Sequence, residues 1–160
     1  MTKLASILGS TYEQKRIEIR IRKFELGGHT FKVRVPLVSE SDEIYSRIIE
    51  PPLEKIDAIY IAMTSSLNKF KDQASEEFQF TETDIIVSGR SMREAAKNKA
   101  MTEARITEYI RLLCAEDPAN SLSEINYEDI EAEWPLSVQL ALVEKIGEAI
   151  SPTYKEARGN

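Results

Sequence analysis

After a loosely structured lead-in with a short apolar patch the chain settles into a period of two. From Arg16 to Leu26, Ile17, Ile19 and Ile21 interleave with Arg16, Glu18, Arg20 and Arg22. That alternation predicts a β-strand with one wet face. The phase then slips, because Phe24 and Leu26 fall on even positions. One extra residue at Arg22-Lys23, a β-bulge, would return them to the face of the isoleucines. Gly27-Gly28 supplies the positive φ angles of a tight connection. Phe31, Val33 and Val35 form the return strand, and Pro36 ends it for want of an amide donor. Residues 16–36 therefore predict a hairpin. Its expected core-facing register is Ile17, Ile19, Ile21, Phe24, Leu26, Phe31, Val33 and Val35.

Beyond Pro36 the period becomes that of a helix. Ser39 is the expected N-cap, with acids in the first turn and Ile44, Ile48 and Ile49 on one face. Pro51-Pro52 interrupts, and Pro52 can open the next helix. That helix carries Leu53, Ile56, Tyr60, Met63, Leu67 and Phe70, whose spacings of 3, 4, 3, 4 and 3 make a heptad-like seam. The seam has two readings. It is the core face of an intramolecular helix, or a face for self-association or for a partner helix, with Tyr60 and Met63 as adaptable contacts.

The stretch "DIIVSG", Asp84 to Gly89, predicts a short strand and a candidate third strand beside the hairpin. Ser91 and Glu94 make a Ser-x-x-Glu capping box for a helix reaching about Ala115, with Ile106, Tyr109, Ile110 and Leu113 on one stripe. "NYEDIEAEWP" predicts a loop or short acidic helix. Pro135 then starts a last helix with Leu136, Leu140, Val143 and Ile146 on its apolar side, stopped by Ser151-Pro152. Residues 1–15, with at most a turn of helix, and the tail 152–160 are expected to be loose. The pattern as a whole predicts one α+β domain over 1–160. An N-terminal antiparallel β-hairpin, with the optional third strand, packs with about four α-helices.

Composition narrows the function without naming it. The chain has 160 residues, 42% hydrophobic and 30% charged, as in ordinary globular proteins. No apolar run approaches the roughly 20 residues of a membrane span, and "MTKLASILGSTYEQKR" has no credible export signal. A cytoplasmic location is the expectation. Cys114, the only cysteine, sits in the apolar run "YIRLLCAED" and is expected to be a buried structural thiol rather than a nucleophile. His29, the only histidine, falls in the turn "LGGHTF". One His and one Cys cannot make a nitrogen-sulfur zinc site.

The formal net charge of -6 argues against broad nucleic-acid binding. It leaves room for one local basic patch at Arg20, Arg22, Lys32 and Arg34. No phosphate loop or nucleophile elbow occurs. Ser66-Leu67-Asn68-Lys69 spells Ser-x-x-Lys without the supporting motifs of that chemistry. The acid clusters Glu76-Glu77, Glu116-Asp117 and Glu128-Asp129-Glu131-Glu133 lie in polar surroundings, so they read as solvated faces. The last could instead receive a basic partner segment. Trp134 reads as a staple packing back on the last helix, against a binding hot spot as the alternative. No catalytic residue, cofactor or metal is expected.

The order of these features carries a resemblance. The short lead-in, the hairpin "RIEIRIRKFELGGHTFKVRVPL", the acidic helix "SESDEIYSRIIEPP" and the ending "EWPLSVQLALVEKIGEAISPTYKEARGN" resemble tail assembly chaperones of long non-contractile-tailed bacteriophages, the siphophage type. The resemblance implies a non-enzymatic late protein of viral tail assembly. Such a protein binds the tape measure protein, keeps it soluble and helps recruit tail tube subunits. It implies a host-cytoplasmic protein that is absent from the mature virion. It also implies two lengths made by translational frameshift, with "EARGN" ending the short form. The expected partners are tape measure protein and tail tube protein, with a homo-oligomer as an option, and neither nucleic acid nor membrane. The family offers no catalytic residues to carry over. From the residues themselves, the candidate contacts are Arg20, Arg22, Lys32 and Arg34 together with the seam Leu53, Ile56, Tyr60, Met63, Leu67 and Phe70. The rival readings are another tail or connector structural protein, and a small nucleic-acid-binding regulator using the cationic hairpin.

Overall fold

The computed structural model describes residues 2–73 and 76–151; the tail 152–160 lies outside the described residues. The fold is mixed α+β, with an N-terminal antiparallel hairpin. In chain order the elements begin with α1 (Lys3–Leu8), α2 (Ser10–Lys15), β1 (Ile21–Leu26), β2 (His29–Arg34), α3 (Val38–Ile49) and α4 (Leu53–Thr64). They continue with β3 (Phe78–Phe80), β4 (Ile85–Val87), β5 (Arg90–Ser91), α5 (Met92–Ile110), α6 (Tyr127–Glu133) and α7 (Leu136–Ile150). The chain divides into two compact units. One runs to Asp42 and resumes at Ile106; the other is Glu43–Arg105. The lead-in expected to be loose folds into α1 and α2.

In the first unit the hairpin pairs without a bulge, in a continuous register from Ile21 opposite Arg34 to Leu26 opposite His29. The apparent phase slip has another cause. Glu18–Arg20 form a 3-10 turn, and the Ile21 amide donates back to the Glu18 carbonyl. The strand begins only at Ile21, so Ile17 and Ile19 are 60% and 65% exposed instead of core-facing. Ile21 itself shares the polar face with Lys23 and Glu25, because cross-strand partners and alternate residues lie on one side. Phe24, Leu26, Phe31 and Val33 make the apolar face. Phe24 and Phe31 stack across the strands at 5.3 Å, and Val33 is fully buried. The turn is built on Gly27 and Gly28, at φ of 60° and 81°.

The helix expected to reach Ala115 stops at Ile110, where the chain tightens through Leu112 and Leu113 amides bonded three residues back. It then runs along the free edge of β2. The Arg34 amide donates to the Leu112 carbonyl at 2.9 Å, and the Cys114 amide to the Lys32 carbonyl at 2.8 Å. Pairing of an otherwise bare strand overrides local helix preference here. Cys114 is therefore half-buried in an extended segment, not in a helix core.

Helix α7 packs on β1 and β2. Its buried stripe is Gln139, Leu142 and Ile146. Of the expected stripe only Ile146 is fully buried; Leu136 and Leu140 are 55% and 47% exposed. The face is rotated because a polar residue is satisfied inside it. The Gln139 Nε2 donates to the Trp134 carbonyl at 2.8 Å, and the Tyr127 hydroxyl donates to Gln139 Oε1 at 2.8 Å. A buried amide with both ends bonded no longer carries the cost that keeps glutamine on surfaces. The short acidic stretch is indeed a helix, α6. Asn126 and Asp129 cap it reciprocally, each side chain accepting from the other's amide at 3.0 Å.

Helix α3 starts one residue before the expected cap. Ser39 lies inside it, and Glu40 accepts the Leu37 amide at 3.4 Å from the first turn. In the second unit Ile44, Ile48, Ile85, Ala96 and Ala100 are buried. The strand expected beside the hairpin instead joins a separate antiparallel sheet in the order β3-β4-β5. The seam helix ends early as well. Thr64 turns its hydroxyl onto the Tyr60 carbonyl at 2.7 Å, and Ser65–Phe70 continue as a 3-10 helix. Leu67 and Phe70 are thus off the helix that carries Leu53 to Met63.

Candidate functional site

The four hairpin cations do not form one free patch. Arg20, at the end of the 3-10 turn, and Arg34, at the end of β2, converge on Glu40 of α3. Arg20 Nη2 lies 3.0 Å from Glu40 Oε1, and Arg34 Nη1 lies 2.7 Å from Oε2. Arg20 Nε also donates to the Val35 carbonyl at 3.0 Å. Burial by itself would raise the Glu40 carboxyl, but the bonds from Arg34 and Arg20, with the Leu37 amide, hold it below the usual carboxylate range. These are charge-assisted bonds that fasten the start of α3 to the hairpin. Arg22 and Lys32 are exposed on opposite faces of the ribbon. Two of the four expected contacts are thus committed within the first unit, and the other two are apart.

The seam divides in the same manner. Leu53 and Ile56 line an open groove of about 680 Å³ in the second unit, beside Ile49, Pro51 and Met101. Arg93, Lys97, Glu50, Glu94 and Asn98 give the groove a mixed-charge rim. Leu53 is 69% exposed. Tyr60 is held internally, with the Arg93 guanidinium 4.2 Å from its ring centroid. The same guanidinium bonds Asp57 at 2.7 Å and the Thr83 carbonyl at 2.5 Å. Burial and then the nearby Asp84 carboxylate raise the Tyr60 hydroxyl, against the opposing Arg93 charge. Phe70 stacks on Phe78 at 5.1 Å. Met63 and Leu67 are half-buried. Tyr60 and Phe70 thus make contacts within the second unit, while Leu53 and Ile56 line its groove.

Asp84 organises the start of α5. Its Oδ1 accepts the Ile85 and Arg93 amides at 2.7 and 3.0 Å, and its Oδ2 accepts the Ser91 hydroxyl. Ser91 in turn accepts the Glu94 amide at 3.1 Å, as the capping pattern requires. Burial would raise the Asp84 carboxyl, but these donors and the Arg93 charge lower it. The geometry is that of a helix cap.

The short apolar patch of the lead-in forms a capped helix with an exposed apolar face, beyond the single turn expected of it. Thr2 caps α1 by accepting the Ala5 amide at 3.2 Å, and Ala5 is buried. Leu4, Ile7 and Leu8 stand exposed, with Ile17 and Ile19 a few residues on. The signal was present in "TKLASILG": a capping threonine, residues at helical spacing and a glycine stop. Its six-residue length hid it, since so short a helix has little periodicity to read. Trp134 ends α6 half-buried and serves α7 through its carbonyl bond to Gln139.

Among the described residues no group of three or more His, Cys, Asp or Glu is placed to hold a metal ion. Burial raises the Cys114 thiol, with Arg34 and Lys32 only partly opposing it, so its environment favours the neutral thiol over the nucleophilic thiolate. His29 packs edge-on to Phe31 at 4.6 Å. No helix among the described residues is long and apolar enough to cross a membrane. Compared with protein-family models, curated proteins and solved structures, the chain matches none.

Proposed function

We propose that the protein is a non-enzymatic tail assembly chaperone of the long non-contractile-tailed phage type. In this reading it binds the tape measure protein in the host cytoplasm, keeps it soluble, helps recruit tail tube subunits and stays out of the mature virion. The observation that carries the reading is the exposed apolar set Leu4, Ile7, Leu8, Ile17 and Ile19, all within the N-terminal segment ahead of β1. Exposed apolar side chains concentrated in one segment favour contact with an apolar partner surface. Such contacts, repeated weakly along a long helix, act through effective concentration. The sequence resemblance supports the same reading. The nucleic-acid alternative is disfavoured, because Arg20 and Arg34 already neutralise Glu40.

Co-expression with the tape measure protein tests the proposal. The wild-type chain should hold that protein in the soluble fraction and co-purify with it, while Leu4→Asp with Ile7→Asp should abolish both effects and leave the circular dichroism unchanged. Precipitation of the tape measure protein despite the wild-type chain would refute the chaperone reading. Detection of the protein in purified particles would favour a tail or connector component instead.

A further inference from the structure

We infer that β1 is a self-docking edge, through which two copies of the chain pair antiparallel about a two-fold axis at Phe24. Among the described residues nothing pairs with this edge: β1 has β2 on one side only, and the far side of β2 is taken by Leu112 and Cys114. Those outer bonds also fix which backbone groups face where. Lys32 and Arg34 turn their peptide groups away from β1, so Phe31 and Val33 turn theirs toward it. Their partners Phe24 and Arg22 must answer, which leaves Lys23 and Glu25 with N–H and C=O directed outward. Ile21 adds no free amide, since its N–H is bonded to Glu18. The open edge is thus short and is centred on Lys23-Phe24-Glu25.

Edge strands are commonly blunted by charge, and an edge of one sign repels its own copy. This edge carries both signs, two residues apart and on the same face. Outward-facing residues must oppose outward-facing residues, so allowed antiparallel registers differ by steps of two. The register centred on Phe24 sets Lys23 against the partner's Glu25, and Glu25 against the partner's Lys23. The neighbouring register on one side sets Lys23 against its own copy. Within the hairpin, Lys23 already stands opposite Lys32, a like-charge pair that an acid on its other side relieves. In the favoured register the two Phe24 residues meet as a close pair on the apolar face.

Sedimentation equilibrium on the full chain at low salt tests the pairing. The wild type should dimerise, and Lys23→Glu or Glu25→Lys alone should each weaken dimerisation by about tenfold or more. The double variant Lys23→Glu/Glu25→Lys has the wild-type composition and should recover the dimer. Mixing the two single variants should also give a mixed dimer, because one edge is then wholly acidic and the other wholly basic. A monomeric wild type, a dimer indifferent to both charge reversals, or a mixture that stays monomeric overturns the inference.

Discussion

Replacing Glu40 with glutamine keeps the shape of the clamp and removes its charge. The carboxamide oxygen can accept from Arg20 or from Arg34, but its amino group then faces the other guanidinium, donor against donor. The side chains of Arg20, Arg34 and Glu40 are 30%, 35% and 32% exposed, so the pairs are neither free surface bridges nor dry ones. Exposed pairs are worth about 0.2–1 kcal/mol each, and hydrogen bonds to charged groups about 1.5–3 kcal/mol. About 1 kcal/mol per arginine, or about 2 kcal/mol in all, is the expected loss. For a chain of this size that corresponds to a fall in Tm of about 4–8 °C.

The pH dependence is the sharper assay. The folded-state pKa of Glu40 is depressed. Its contribution is therefore complete above the unfolded value, near about 4.3, and is lost as pH falls through the folded one. Urea unfolding of wild type and Glu40→Gln at neutral pH, and in steps to about pH 3, should show the gap closing as the acid limit is approached. The exposed Glu43→Gln on the same helix should differ from wild type by no more than about 0.5 kcal/mol. A gap below about 0.5 kcal/mol at neutral pH, or one of constant size down the series, would refute the clamp.

Other substitutions probe separate parts of the fold. Gln139→Ala removes the acceptor of the Tyr127 hydroxyl and opens space between α6 and α7, and should cost about 2–4 kcal/mol in denaturant unfolding. Asp84→Ala removes the remote cap of α5 and should cost about 1–2 kcal/mol at neutral pH. Because the Asp84 pKa is lowered, that difference should shrink as pH falls through the folded value. Leu53→Ser at the groove mouth should leave stability within about 0.5 kcal/mol of wild type. If Leu53→Ser unfolds the second unit by circular dichroism, the residue is core and the groove reading fails.

The hairpin was legible because Gly27-Gly28 and the alternation of Phe31 and Val33 are local signals. Its first strand was overextended because a short 3-10 turn at Glu18–Arg20 can present the same apolar-charged alternation as a strand. The seam from Leu53 looked continuous because spacing records side-chain order, while the switch at Thr64 depends on a hydroxyl choosing a backbone carbonyl. Gln139 was invisible as a core residue for a related reason: its partners, the Tyr127 hydroxyl and the Trp134 carbonyl, are set by folding. Arg20 and Arg34 read as a free patch because Glu40, their common partner, belongs to another element. The N-terminal apolar face had a readable cap and stop in Thr2 and Gly9, but too few residues between them to establish a period.

The pairing of β2 with Leu112 and Cys114 has a consequence for how the chain matures on the ribosome. The strand is made early, but its outer neighbours follow the entire Glu43–Arg105 unit in synthesis. Until they emerge, β2 carries a bare edge, and α7 is not yet available to cover the apolar ribbon. The hairpin can form from local contacts in microseconds, yet its unit completes only when nearly the whole chain has been translated. Translation delays within 43–105 should therefore prolong the aggregation-prone interval. Lengthening that insert should hardly change final stability, since each doubling of a closed loop costs only about 0.6 kcal/mol.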